Sequence, residues 1–99
     1  MINYENILLV KIDMENQLRE TKDLLKTTRI DMEKLIIKNE IYDRCLKTVD
    51  MLDLWKRKIV WNNDSIKRYD SNIAEYIDTI KEFEIELNIL ETIIAENHK

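Results

Sequence analysis

Hydrophobic residues return at a strict seven-residue interval in the second half of the chain. Ile59, Ile66, Ile73, Ile80, Leu87 and Ile94 share one heptad position, and Asn62, Tyr69, Tyr76, Phe83, Leu90 and Asn97 share another, three residues later. This a/d seam is apolar from Ile66 to Ile94 and predicts an α-helix that packs on a neighbouring helix. The first half repeats as well. Tyr4, Lys11, Leu18, Leu25, Met32, Asn39 and Leu46 share one position; Ile7, Met14, Thr21, Thr28, Leu35, Tyr42 and Val49 share the other. That seam is poorer, because Lys11, Thr21, Thr28 and Asn39 sit on it. A single Asn in an apolar seam can fix register and helix number. The two frames do not join: Leu46, Val49, Leu52, Trp55 and Ile59 are spaced 3, 3, 3 and 4. Losing one residue of register rotates the apolar stripe around the helix.

With no glycine and no proline anywhere in 99 residues, the helix breaks must be read from weaker signals. Asn62-Asn63-Asp64-Ser65 joins three N-capping residue types to short side chains that compete with helical bonding. It predicts a turn at 62–65, capped by Asp64 or Ser65, and a helix over 66–97. Lys26-Thr27-Thr28-Arg29 is a lesser break, in which Thr28 and Asp31 resemble a capping box. Residues 3–26 are then a helix that either stops there or is continuous with 28–61. Folding about residue 63 sets Ile94 opposite Met32, Leu87 opposite Asn39 and Ile80 opposite Leu46. Residues 3–26 are left without a partner in that hairpin.

Stripe width bears on what completes the fold. Beside the first seam runs a second stripe containing Ile30, Ile37, Ile41 and Cys45, and the last helix adds Ile77, Ile85, Ile89 and Ile93 outside its seam. A two-stranded coil needs only a narrow seam, so faces this wide imply two neighbours per helix. The expected architecture is all-α: a single helical domain over 1–99 built on an antiparallel hairpin with a heptad seam. It is completed as a three-helix bundle or as a dimeric coiled coil or four-helix bundle. Homodimerisation is the favoured route, since a chain this small has limited core.

Composition narrows the function classes. Charged residues make up 36% of the chain, aromatics 7%, and the net charge is −4, which demands neither a basic nor an acidic partner. Without glycine there is no phosphate loop or dinucleotide fingerprint. The one cysteine forms no internal disulfide. The longest aliphatic run, Ile7-Leu8-Leu9-Val10, is far short of the roughly 20 residues of a membrane span. The N-terminus has no basic signal-peptide start, so the expected location is cytoplasmic, with no membrane partner. Abundant Ile, Asn, Lys and Glu with scarce Ala reflect AT-rich coding, which suits a phage or viral accessory protein.

Catalytic chemistry finds little to work with. His98 is the one histidine and sits in a terminal segment where pKa-tuning burial is not expected. Cys45 falls on an apolar stripe and reads as a small hydrophobe. No Glu-x-x-His spacing of helical di-metal sites occurs, and Glu82, Glu84 and Glu86 fall away from the seam. No catalytic, cofactor or metal residue is assigned, and the chain is read as non-enzymatic.

The layout of charge is the remaining signal. Residues 55–69 hold five cations and one anion, against net −2 over 1–54 and net −6 over 70–99. On the expected fold this is a basic hairpin tip, and Lys56, Arg57, Lys58, Trp61, Lys67, Arg68 and Tyr69 are its candidate binding residues. Lys56 to Lys58 would close a helix, where cations suit the dipole, whereas Lys67 and Arg68 would open one, where they do not. Cations interleaved with aromatics suit phosphates and stacked bases. Two readings follow. The first is a protein–protein interaction module, an adaptor or small modulator or inhibitor of a larger protein machine. The alternative is a nucleic-acid or phosphate binder working through the tip.

Overall fold

The computed structural model describes residues 2–48 and 53–97, and within them the chain forms two long helices arranged as a hairpin. Helix α1 spans Tyr4–Thr48 and helix α2 spans Asp53–Asn97, 45 residues each. Asn3 starts α1 as an N-cap. Its Oδ1 accepts from the Glu5 amide at 2.8 Å, meeting one of the orphan donors of a helix start, and its carbonyl takes the first helical bond, from the Ile7 amide at 3.2 Å. Near the other end of α1, Glu40 pairs with Arg44 and Asp43 with Lys47 at i,i+4, with the acid N-terminal as the dipole prefers.

The turn expected at 62–65 is absent, because Asn62, Asn63, Asp64 and Ser65 all lie inside α2. The seam explains why. Trp55, Ile59, Asn62, Ile66 and Tyr69 keep one heptad frame through the segment and are all at least half-buried, and a reversal there would scatter them. Instead α1 ends at Thr48 and α2 begins at Asp53, on either side of the stretch where the two frames fail to join. Val49 and Leu52, which the frame comparison uses, lie outside the described residues, as does His98. The lesser break is absent too: α1 runs unbroken through Thr27 and Thr28 and ends at Thr48, short of residue 61. Among the described residues there is accordingly no third helix.

The pairing moves with the turn. Contacts divide the chain into two compact units, one of Met1–Leu24 with Glu75–Lys99 and the other of Leu25–Ala74. Residues 3–26, expected to lack a partner, therefore do have one: most of the segment packs on the C-terminal half of α2.

In the first unit the seam positions close on Ile7 and Leu90, the most buried of its described side chains at 4% and 9% exposure. The seam lysine, Lys11, reaches across to Glu91 at 2.8 Å and lies 3.8 Å from Glu15 on its own helix. That bond and the Glu91 charge raise its pKa above the ordinary lysine value. Thr21 stays on the seam by donating its hydroxyl to the Gln17 carbonyl at 2.8 Å, the local back-bond open to a helical threonine.

In the second unit Ile73 is buried, and the asparagines form a polar layer across the seam. Asn62 Nδ2 donates to Asn39 Oδ1 at 2.9 Å, and Asn39 Nδ2 donates to Asn63 Oδ1 at 3.0 Å. Two of the four residues read as a turn, Asn62 and Asn63, thus occupy the helix interior as cross-helix partners. Each costs about 0.7 kcal/mol or less of helix propensity against alanine.

Candidate interaction site

Helical spacing, about 100° per residue, distributes the candidate tip over two faces of α2. Lys56, Arg57, Trp61, Lys67 and Arg68 are exposed and lie on the side turned away from the seam, together with Val60. Trp61 is 62% exposed. Asp53, Lys56, Arg57, Val60 and Trp61 line a shallow surface depression of about 240 Å³. The other two candidates belong to the seam. Lys58 is half-buried with its ammonium 5.4 Å from the centre of the Tyr42 ring, a cation–π contact between the helices. Tyr69 is half-buried at its heptad position. Five of the seven candidates therefore share one open face and two hold the helices together.

Their electrostatic setting is the reverse of the expected one. Lys56, Arg57 and Lys58 lie in the first two turns of α2, at the positive end of its dipole, with Asp53 ahead of them in the first turn. Lys67 and Arg68 are far inside the helix, where the terminal dipole no longer acts on them.

The sequence assigned no binding role to a second set of residues, the apolar side chains outside the seams. On α1, Ile37 and Ile41 are 53% and 52% exposed and Ile30 is exposed beside them. On α2, Ile85 and Ile89 are 60% and 58% exposed. These are the residues whose breadth of stripe implied a second neighbour for each helix, and among the described residues no such neighbour covers them. Another shallow groove, of about 220 Å³, is walled by Ile2, Ile7, Val10, Leu90 and Ile93 with Asn6 at its edge. A third, of about 450 Å³, runs along the Asn39–Asn63 layer between Ile36, Ile59 and Ile66.

Cys45 is half-buried. Among the described residues no group of His, Cys, Asp and Glu is arranged to hold a metal ion, and no helix is long and apolar enough to cross a membrane. Comparison with protein-family models, with curated proteins and with solved structures finds no match.

Proposed function

We propose that the protein is a non-enzymatic protein–protein interaction module, an adaptor or small modulator of a larger protein machine, as a phage or viral accessory protein would be. The observation that carries this reading is the row of exposed isoleucines on both helices outside the seams, represented by Ile37 and Ile41 on α1 and Ile85 and Ile89 on α2. Contiguous exposed apolar side chains on a small domain mark surfaces that another protein covers. Self-association into a dimeric four-helix bundle is one use of that surface, and occupation of a groove on a host protein is another.

Capture from lysate tests it, using wild-type chain and the Ile37→Lys/Ile41→Lys and Ile85→Lys/Ile89→Lys variants as bait, with nuclease present. A stoichiometric protein held by wild type and lost with one of the pairs is the expected result. Protein capture that ignores both pairs would remove the isoleucine faces from the reading.

The exposed face of Lys56, Arg57, Trp61, Lys67 and Arg68 favours a second reading, binding of nucleic acid or another phosphate-bearing ligand. Replacing the four cations of that face by Gln would abolish binding of single-stranded oligonucleotides, and wild-type affinity would fall steeply between about 50 and 200 mM salt. Oligonucleotide binding indifferent to both changes would eliminate it.

A further inference from the structure

The two units differ sharply in charge. The unit of residues 1–24 and 75–99 contains five cations and twelve anions, net −7, whereas the unit of residues 25–74 contains eleven cations and eight anions, net +3. Neither excess is spread evenly. In the acidic unit, Asp78, Glu82, Ile85, Ile89, Ile93 and Glu96 follow one another at steps of three or four along α2, so they form a single stripe. All but the half-buried Ile93 are exposed. In the basic unit the open face of α2 presents Lys56, Arg57, Lys67 and Arg68 around Val60 and Trp61, with Asp64 the one carboxylate among them. One stripe is isoleucine edged with carboxylates; the other is valine and tryptophan edged with cations. Each is what the other lacks.

Resting on the interaction reading above, we infer that the first partner of this chain is a second copy of itself, with the acid–isoleucine stripe of one copy seated on the basic face of the other. A two-fold axis makes the arrangement reciprocal, so both stripes of both copies are covered at once. Antiparallel approach of the two α2 helices sets Val60 and Trp61 beside Ile85 and Ile89, and Lys67 and Arg68 beside Asp78 and Glu82. The apolar residues supply buried area and the charges supply register and orientation, as the flanking positions of coiled coils do. The parallel alternative would stack −7 on −7 and +3 on +3.

Charge-swapped chains test the pairing by sedimentation equilibrium at about ten micromolar, with helicity followed by circular dichroism. Wild type is expected at twice the chain mass of 12.0 kDa. The Lys67→Glu/Arg68→Glu variant faces anions with anions in both halves of its own dimer, and the Asp78→Lys/Glu82→Lys variant faces cations with cations. Each alone should sediment as a monomer with its helical spectrum unchanged. Mixed in equal amounts, they should form a heterodimer, because both interfaces of the mixed pair then join opposite charges. A monomeric wild type overturns the proposal, and if such a monomer still captures a foreign protein through its isoleucines, the interaction reading stands without it. Dimers that persist in both variants, a mixture that stays monomeric, or a wild-type mass above two chains overturn it equally. A variant that loses helicity is replaced by its Gln counterpart, for which a weaker dimer at low salt is required and an unchanged one refutes.

Discussion

The asparagine layer offers the sharpest test of the hairpin, because its effect can be separated from helix propensity. Asn39 makes two amide–amide bonds across the seam, a part-buried one with Asn62 at 2.9 Å and an exposed one with Asn63 at 3.0 Å. A part-buried bond contributes about 1 kcal/mol net, and an exposed one about 0.5 kcal/mol. Replacing Asn39 by Ala removes both, a loss of about 1.5 kcal/mol, but regains about 0.6 kcal/mol because Ala is the better helix former. The net destabilisation is about 1 kcal/mol. By the same reckoning Asn62→Ala loses about 1 kcal/mol and regains about 0.6, so it should be nearly silent. Single substitutions therefore disguise the contact.

A double-mutant cycle does not, since the propensity terms cancel and only the pair remains. Asn39→Ala, Asn62→Ala and the double variant would be unfolded in urea at one fixed protein concentration, followed by helical ellipticity. The coupling between the two sites is expected at about 1 kcal/mol, and the cycle between Asn39 and Asn63 at about half that. Strict additivity within about 0.3 kcal/mol would mean that the layer does not exist and that α1 and α2 meet in another register. Asn39→Leu with Asn62→Leu goes further. It replaces the layer by apolar contact and should raise stability while loosening register, visible as broadened amide resonances at a higher urea midpoint.

Three further outcomes follow from the same geometry. Asp64→Pro sits deep inside α2 and should cost about 3 kcal/mol or more, read as a collapse of the urea midpoint; near-native stability would restore the turn at 62–65. Ile73→Ala, at a buried seam position, should cost about 2 to 4 kcal/mol in thermal melting, while Ile37→Ala on the exposed face should stay within about 0.5 kcal/mol, and equal effects would contradict the burial pattern. Lys11 has its pKa raised from 10.5 by the Glu91 hydrogen bond and charge. A folded-state value above the unfolded one gives stability that is fully present below pH 10.5 and lost as pH climbs through the folded value. The midpoint difference between wild type and Glu91→Gln should therefore be constant through neutral pH and shrink in strongly alkaline buffer; a difference that grows there would reverse the sign.

Heptad spacing made the packing legible in unusual detail. Every described residue of both seams except Asn97, at the end of α2, is buried or half-buried, the polar members Lys11, Thr21, Thr28 and Asn39 included. Period is a property of the whole helix face, and one face can be read without knowing what lies against it. The reversal was not legible by the same route. Without glycine or proline, residue type pointed to Asn62-Asn63-Asp64-Ser65, while the slip of frame between Val49 and Ile59 was read only as a rotation of the stripe and not as a break. Asparagine has two ways to satisfy its amide in a helix, by capping a break or by meeting another amide across a seam, and composition alone does not distinguish them. The candidate site suffered from that single error. Its cations were read as a tip because the turn was set among them, and only Lys56, Arg57, Trp61, Lys67 and Arg68 share an open face.

The distribution of polar groups suggests how the molecule separates two tasks. Each unit places a polar contact across its seam, Lys11 with Glu91 in one and Asn39 with Asn62 and Asn63 in the other. Such contacts add little to stability at partly exposed positions, but a slipped register would leave them unmatched, so they select one pairing of α1 with α2. A second apolar resource lies outside the seams, on Ile37, Ile41, Ile85 and Ile89. A chain selected for monomer stability alone would have the opposite layout, with isoleucine on the seam in place of Asn39 and lysine in place of Ile37. Register is thus held from within by weak, directional groups, and the exposed isoleucines are the apolar surface that the proposed reading assigns to another chain. Exchanging the two, by Asn39→Ile with Ile37→Lys, should produce a hairpin with a higher urea midpoint and weaker capture of the protein proposed to cover the α1 isoleucines.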